Sequence, residues 1–226
     1  MNKAMIPNLF TLSNCLFGML SVVASINHNF ILAALFIVIA VAADAMDGRV
    51  ARFFEVASEM GKQLDSLSDA VSFGAAPAIL LYQYDLHRLG WYGAIICAVY
   101  TMCGVWRLAR FNISTAEIKG YFQGLPIPGG GIAIAAFVFS GHSLELYGVI
   151  SYILLMGFLM VSSIKYPDFK NKCDYFGKTA WIIAGLLAVA TLLNGCFSFG
   201  KVFFALVALF VMYGLINSVI FRKAKR

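Results

Sequence analysis

The chain is poor in charge, proline and histidine. Of its 226 residues only 12% are charged and 61% are hydrophobic, with 5 prolines and 3 histidines. So little charge excludes an ordinary soluble domain, which has no means of hiding that much apolar surface. His28, His87 and His142 fall in three separate connections, which argues against a histidine metal centre or an oriented histidine base. The five cysteines (Cys15, Cys97, Cys103, Cys173, Cys196) are odd in number and scattered. They make neither a disulfide framework nor a thiolate cage, and read as small apolar packing residues. There is no internal repeat and no low-complexity tract. A cleavable leader pattern is missing too: Lys3 is the sole basic residue before the first apolar run, which is expected to stay as a helix.

What the chain does have is long apolar runs, several near the ~20 residues that cross a bilayer. They are too continuous for the alternating strands of a barrel. The expected fold is an all-α integral membrane protein, one domain over 1–226, with about eight transmembrane helices at 8–26, 30–53, 62–83, 90–109, 127–141, 146–164, 179–195 and 199–221. With both termini in the cytoplasm, 15 of the 17 basic residues lie inside and only Arg88 and Lys201 outside. That is the positive-inside bias of a multi-pass protein of the cell (inner) membrane. The net charge of +6 therefore points to anionic lipid headgroups, not to nucleic acid.

Against this apolar background, residues 44–69 carry four aspartates, and ionisable groups at membrane depth are kept mainly where they bind ions or do chemistry. Asp44, Asp47 and Gly48 lie at i, i+3 and i+4 and share one helix face, which Ala51 and Arg52 continue. On the next helix Gly61, Asp65 and Asp69 are each four apart, again one stripe. A short connection makes the two helices antiparallel neighbours, so the acidic faces meet. Carboxylates this close need a cation or protons between them. All-oxygen ligation suits Mg²⁺ or Mn²⁺, with Ca²⁺ as an alternative occupant, and two such ions would clamp a pyrophosphate. Gly48, Ala51 and Gly61 let a ligand, or equally a neighbouring helix, approach the backbone. Arg52 reads either as a phosphate partner or as a snorkelling anchor. A cation-conducting acidic path would need none of these small residues or the arginine at fixed offsets.

Asp44-x-x-Asp47-Gly48-x-x-Ala51-Arg52, eight residues, then Gly61-x-x-x-Asp65-x-x-x-Asp69 resembles the signature of the CDP-alcohol phosphotransferase family at every fixed position. The resemblance implies a membrane-embedded helical enzyme, usually a homodimer, that moves a phosphatidyl or related group from a CDP-linked donor to an alcohol. It implies that Asp44, Asp47, Asp65 and Asp69 hold the divalent metals and that Asp69 is also the general base. It further implies that Gly48, Ala51 and Gly61 line the cytidine pocket and that Arg52 touches donor phosphate. Pro7-Asn8-Leu9-Phe10-Thr11 resembles the family's nucleotide-holding stretch through Asn8 and Thr11, and reads equally as a capped helix entry.

Residues 64–78, 107–112 and 121–128 resemble the phosphatidylserine synthase branch, of integral membrane type. Eight helices in place of the family's six fit that branch, with a catalytic core at about 1–165 and two extra helices within about 179–221. The implied partners are CDP-diacylglycerol, L-serine and membrane lipid. Arg107 and Arg110, three apart on one face, suit the acceptor carboxylate, and Lys119 follows in the next loop; Ser66 and Ser72 offer hydroxyls. The two arginines read alternatively as inside anchors. No cysteine or histidine lies near the signature, which favours direct displacement over a covalent intermediate. Glycerol phosphate or inositol phosphate as acceptor, and an ether-linked donor, remain open; a transporter or cation channel is the rival of another class.

Overall fold

The computed structural model describes residues 5–54, 56, 58–114, 121–141, 144–167 and 199–223. Helix α1 (Met5–Ile26) turns at residues 27–29 into α2 (Phe30–Phe53). His28 takes the turn's left-handed backbone, with φ 56°. The third expected helix is present but not regular: α3 (Glu59–Asp69) passes through a π turn (Ala70–Ala75) into α4 (Ala76–Tyr84). A short 3-10 turn (Leu86–Leu89) leads to α5 (Trp91–Ser114), followed by α6 (Ile127–Ser140), α7 (Leu146–Val161) and α8 (Phe199–Lys223). The expected helix at 179–195 lies outside the described residues.

Among the described residues four helical stretches are long and apolar enough to cross a membrane: Pro7–Ile26, Phe30–Ala51, Glu59–Tyr84 and Trp91–Ile113. Ile127–Ser140, Leu146–Val161 and Gly200–Met212 are apolar but shorter. This is a multi-pass membrane architecture.

Two differences from the sequence expectation have local causes. Pro77 is the source of the π turn. It has no N–H to offer the Phe73 carbonyl four residues earlier, and its ring crowds that carbonyl. Tyr100 of α5 supplies the missing donor, its hydroxyl donating to Phe73 O at 3.1 Å, while the Thr101 hydroxyl donates to Gly74 O at 3.3 Å. The second difference is that the fold is not wholly α. Two of the connections between helices form a small antiparallel pair, β1 (Tyr121–Gln123) against β2 (Lys165–Pro167), with Phe122 opposite Tyr166. Helix α5 also runs five residues past the expected 109, to Ser114, so Arg110 and Asn112 are helical.

Packing between helices relies on small and polar residues, as expected where lipid removes most of the hydrophobic drive for helix association. On α1 a heptad-spaced stripe of Thr11, Asn14, Gly18, Ser21 and Ser25 is buried. Leu9, Leu12, Leu16 and Met19, on another face, are exposed in the chain alone. The apolar core sits around Phe73, Tyr100, Ile127, Ile134 and Phe137, all within 1% of full burial. Phe137 contacts the rings of Tyr84, Tyr152 and Phe204 and so joins α4, α7 and α8.

Gly18 is where α1 meets the π turn. A Cβ there would lie 2.4 Å from Ser72 Oγ and 2.7 Å from Ser72 Cα. Gly157, on α7, has room: a Cβ would make ordinary contacts at 3.5–3.6 Å with Cys103 and Tyr100. Gly18→Ala is therefore expected to lower stability by about 1–3 kcal/mol through overpacking. Gly157→Ala is expected to be neutral or stabilising by up to about 1 kcal/mol, from helix propensity. Thermal unfolding of the two variants in detergent checks the pair.

Candidate active site

The site forms where the end of α2 and the start of α3 meet α1. Ser58 caps α3, its hydroxyl accepting from the Gly61 N–H at 3.0 Å. That fixes where α3 begins, and hence the phase at which Asp65 and Asp69 emerge. One ligand oxygen each from Asp44, Asp47 and Asp65 lies within 4.8 Å of the others. Asp44 is within hydrogen-bond reach of both Asp65 and Asp69, so the fourth aspartate joins the same cluster. Asp47 and Asp69 are each only 6% exposed.

The donor set fits a divalent cation. Three carboxylates converge within a span that one ion can bridge, and Asp65 Oδ1 is buried with no hydrogen-bond partner among the described residues. A buried carboxylate oxygen without a donor is costly unless a cation or proton meets it. Oxygen-only ligation of this kind suits hard divalent ions.

Helix α1 holds two of these carboxylates by neutral donors. The Thr11 hydroxyl donates to Asp47 Oδ2 at 2.7 Å, and Asn14 Nδ2 donates to Asp69 Oδ1 at 3.0 Å. Thr11, expected beside the nucleotide, thus makes its contact with a cluster aspartate. Asn14 was not among the residues expected at the site. Its signal was present, since it lies three residues after Thr11 on the same face of a membrane helix.

The small residues keep one approach open. Asn8 Oδ1 and Ser58 Oγ sit 3.2 Å and 3.1 Å from where a Cβ on Gly61 would be. Any larger side chain would therefore close the gap between α1 and α3. Gly48 and Ala51 lie half-buried on α2 beyond Asp47. Arg52 belongs to α2, but its side chain lies outside the described residues, as does Lys119 entirely.

The two arginines of α5 separate sharply. Arg107 is 6% exposed, interacts electrostatically with Asp69 and Asp44, and lies over the Phe111 ring at 5.2 Å. Its Nε has no partner among the described residues. Arg110, expected beside it as a carboxylate ligand, instead donates to backbone carbonyls. Its guanidinium reaches Val161 O at 2.8 Å and Gln123, Met160 and Ser162 O at 3.2 Å each. The cause is geometric. The end of α7 leaves its last carbonyls without helical donors, and a planar fork can satisfy several at once.

The serine side chains expected at the site are also engaged within the protein. The Ser72 hydroxyl is fully buried and donates to Asn14 O at 2.9 Å, bonding the π turn to α1. Ser66 donates to Lys62 O at 3.2 Å and accepts from Asn112 Nδ2 at 2.9 Å. Asn112 is a second residue the sequence reading did not single out.

The four aspartates of the signature thus lie together, Asp47 and Asp69 buried and Asp44 and Asp65 half-buried, with Arg107 of α5 beside them. The family model described as CDP-alcohol phosphatidyltransferase matches residues 4–216 of the chain. The chain belongs to this family. It is similar to a Helicobacter pylori protein named CDP-diacylglycerol–serine O-phosphatidyltransferase, 38% identical over 174 residues that cover 73% of each chain. A Bacillus subtilis protein of the same name is 36% identical over 167 residues, 74% of this chain and 92% of that one. An archaetidylserine synthase of Methanothermobacter thermautotrophicus is 36% identical over 165 residues, 72% and 69% of the respective chains.

Groups that orient metal ligands typically contribute 10- to 100-fold in metal affinity. Thr11→Val should therefore weaken Mn²⁺ binding by about 10-fold or more, read by titration of the purified protein, because Asp47 loses its only described side-chain donor.

Proposed function

We propose that this chain transfers the phosphatidyl group of CDP-diacylglycerol to the hydroxyl of L-serine, forming phosphatidylserine and CMP. The observation that carries the reading is the convergence of Asp44, Asp47 and Asp65 on one potential cation position, with Asp69 and Arg107 beside it. That several relatives are named for the serine reaction supports the acceptor.

In this reading the four aspartates hold Mg²⁺ or Mn²⁺, two ions when donor is bound, with Ca²⁺ as a substitute occupant. The metal supplies charge neutralisation at the donor pyrophosphate and at the departing phosphate. The chain's own groups do the rest. The oxygen of Asp69 not bonded to Asn14 accepts the proton of the serine hydroxyl. The serine oxygen forms a bond to the lipid-side phosphorus as the bond from that phosphorus to the CMP oxygen breaks, in line and in one displacement.

Asn8, Gly48, Ala51 and Gly61 border the cytidine, and Arg52 reaches a donor phosphate. Arg107, buried and with its Nε free of described partners, receives the serine carboxylate through charge-assisted hydrogen bonds; Lys119 adds positive charge at the entrance. The site faces the cytoplasm from the inner membrane, with both termini on that side, since the basic residues concentrate there. A homodimer follows from the family resemblance. The archaetidylserine synthase among the relatives favours one second reading, in which the same transfer uses an ether-linked donor.

Purified protein given CDP-diacylglycerol and Mn²⁺ should release CMP with serine and not with glycerol phosphate or inositol phosphate. Asp69→Asn should cut the rate by about 100-fold or more, the usual loss when a positioned base is removed, and chelation should abolish it. CMP release with a phosphorylated acceptor alone would discard the serine assignment. Arg107→Lys should raise KM for serine by about 10-fold, since a point charge replaces a bidentate fork, with KM for CDP-diacylglycerol little changed. An unchanged serine KM would remove Arg107 from the acceptor pocket.

A further inference from the structure

Asp69 occupies an awkward place for a residue that must present one oxygen in a fixed direction. It is the last residue of α3, and the π turn begins at the next position, Ala70. Its backbone is helical (φ −61°, ψ −39°), so α3 sets where the side chain leaves the backbone, but not how the carboxylate is rotated about its own side-chain bonds. An anchor from another element is needed, and α1 provides it. Asn14 is fully buried and donates from Nδ2 to Asp69 Oδ1 at 3.0 Å. An ionised carboxylate only accepts hydrogen bonds, so the amide nitrogen is the end that faces it. The other end, Oδ1, is buried with no partner among the described residues. An apolar side chain would fill the same place without stranding an acceptor. Retaining a buried amide with one orphaned atom is not explained by packing.

We propose that Asn14 is the positioning residue for Asp69, and that its side chain and main chain form a two-point clamp from α1 onto the junction of α3 and the π turn. The side chain grips Asp69; the carbonyl receives the Ser72 hydroxyl at 2.9 Å. Gly18, one turn further along α1, lets the two backbones approach closely enough for both bonds, because no Cβ intervenes at Ser72. The clamp fixes one carboxylate oxygen through a donor that carries no charge and gives up no proton. The second oxygen is left to the acceptor hydroxyl. This inference rests on reading Asp69 as the base; because Asp69 also stands among the metal ligands, the effect assigned to Asn14 is on the chemical step with metal and donor saturating.

The test separates those two effects. Asn14→Ala and the unsubstituted protein are compared in detergent, each at a Mn²⁺ concentration that saturates it. Equilibrium binding of CDP-diacylglycerol and the single-turnover rate of CMP release are both measured, using whichever acceptor the unsubstituted protein accepts. The rate should fall by about 100-fold, the scale of a misplaced reacting group, while the CDP-diacylglycerol dissociation constant stays within about threefold. Asn14→Ser, only one hydroxyl larger than Ala but carrying a donor, should recover part of the rate. A rate within about twofold of the unsubstituted protein, or a loss of donor affinity as large as the loss of rate, would overturn the proposal. Should Asn14→Ala fail to fold, Asn14→Val, which refills the space without a donor, gives the same two readings. Absence of serine-dependent CMP release by the unsubstituted protein counts against the serine reading alone, since the comparison runs on the acceptor that works.

Discussion

Repulsion among Asp44, Asp47, Asp65 and Asp69 is the constraint that the surrounding bundle has to satisfy. Two unit charges ~5 Å apart repel by about 3 kcal/mol at an effective dielectric of about 20, and three of the four aspartates offer oxygens closer than that. Left alone, such a group would splay its helices or take up protons. The neighbouring helices oppose the splaying at defined points. Thr11 and Asn14 of α1 reach two of the carboxylates, Ser58 sets the start of α3, and Arg107 brings positive charge from α5. A divalent cation in the cluster would complete the neutralisation that these groups begin.

The irregular stretch that follows Asp69 has its own cause and is held by two of the same neighbouring helices. Pro77 breaks the backbone ladder of the α3–α4 segment, and the resulting π turn is stitched to α5 by the Tyr100 and Thr101 hydroxyls and to α1 by Ser72. In lipid an unpaired carbonyl has no water to turn to, so each donor supplied from a neighbouring helix also fixes that neighbour's position. Arg110 serves a similar end one turn further along α5, where its guanidinium closes over the last carbonyls of α7 and the edge of β1. Two arginines one helical turn apart thereby acquire separate roles, Arg107 beside the acidic cluster and Arg110 in the frame that supports it.

Much of this was legible in the residues. Fixed offsets on two helices placed the four aspartates on facing stripes, because the helical period alone decides which side chains share a face. Hydropathy gave most of the described helix ends to within a few residues, since long apolar runs leave few alternatives in a bilayer. The π turn was less accessible: Pro77 was visible, but whether a proline kinks, ends or widens a helix depends on which neighbours can receive the freed carbonyl. The strand pair was missed because each strand is three residues long and pairs only with a segment more than forty positions away.

The sequence by itself determined the class of the protein, the family and the helix face from which each aspartate of the signature projects, all consequences of local period and fixed spacing. Tertiary structure alone decided which polar groups remain available to a substrate. Thr11, Ser66, Ser72 and Arg110 carry the right chemistry for ligand binding, and each is engaged instead by a partner from elsewhere in the chain. Asn14 meets Asp69 across fifty-five positions of sequence. A donor or acceptor has only so many bonds to make, and which of them the fold has already taken depends on packing between helices that no single helix records.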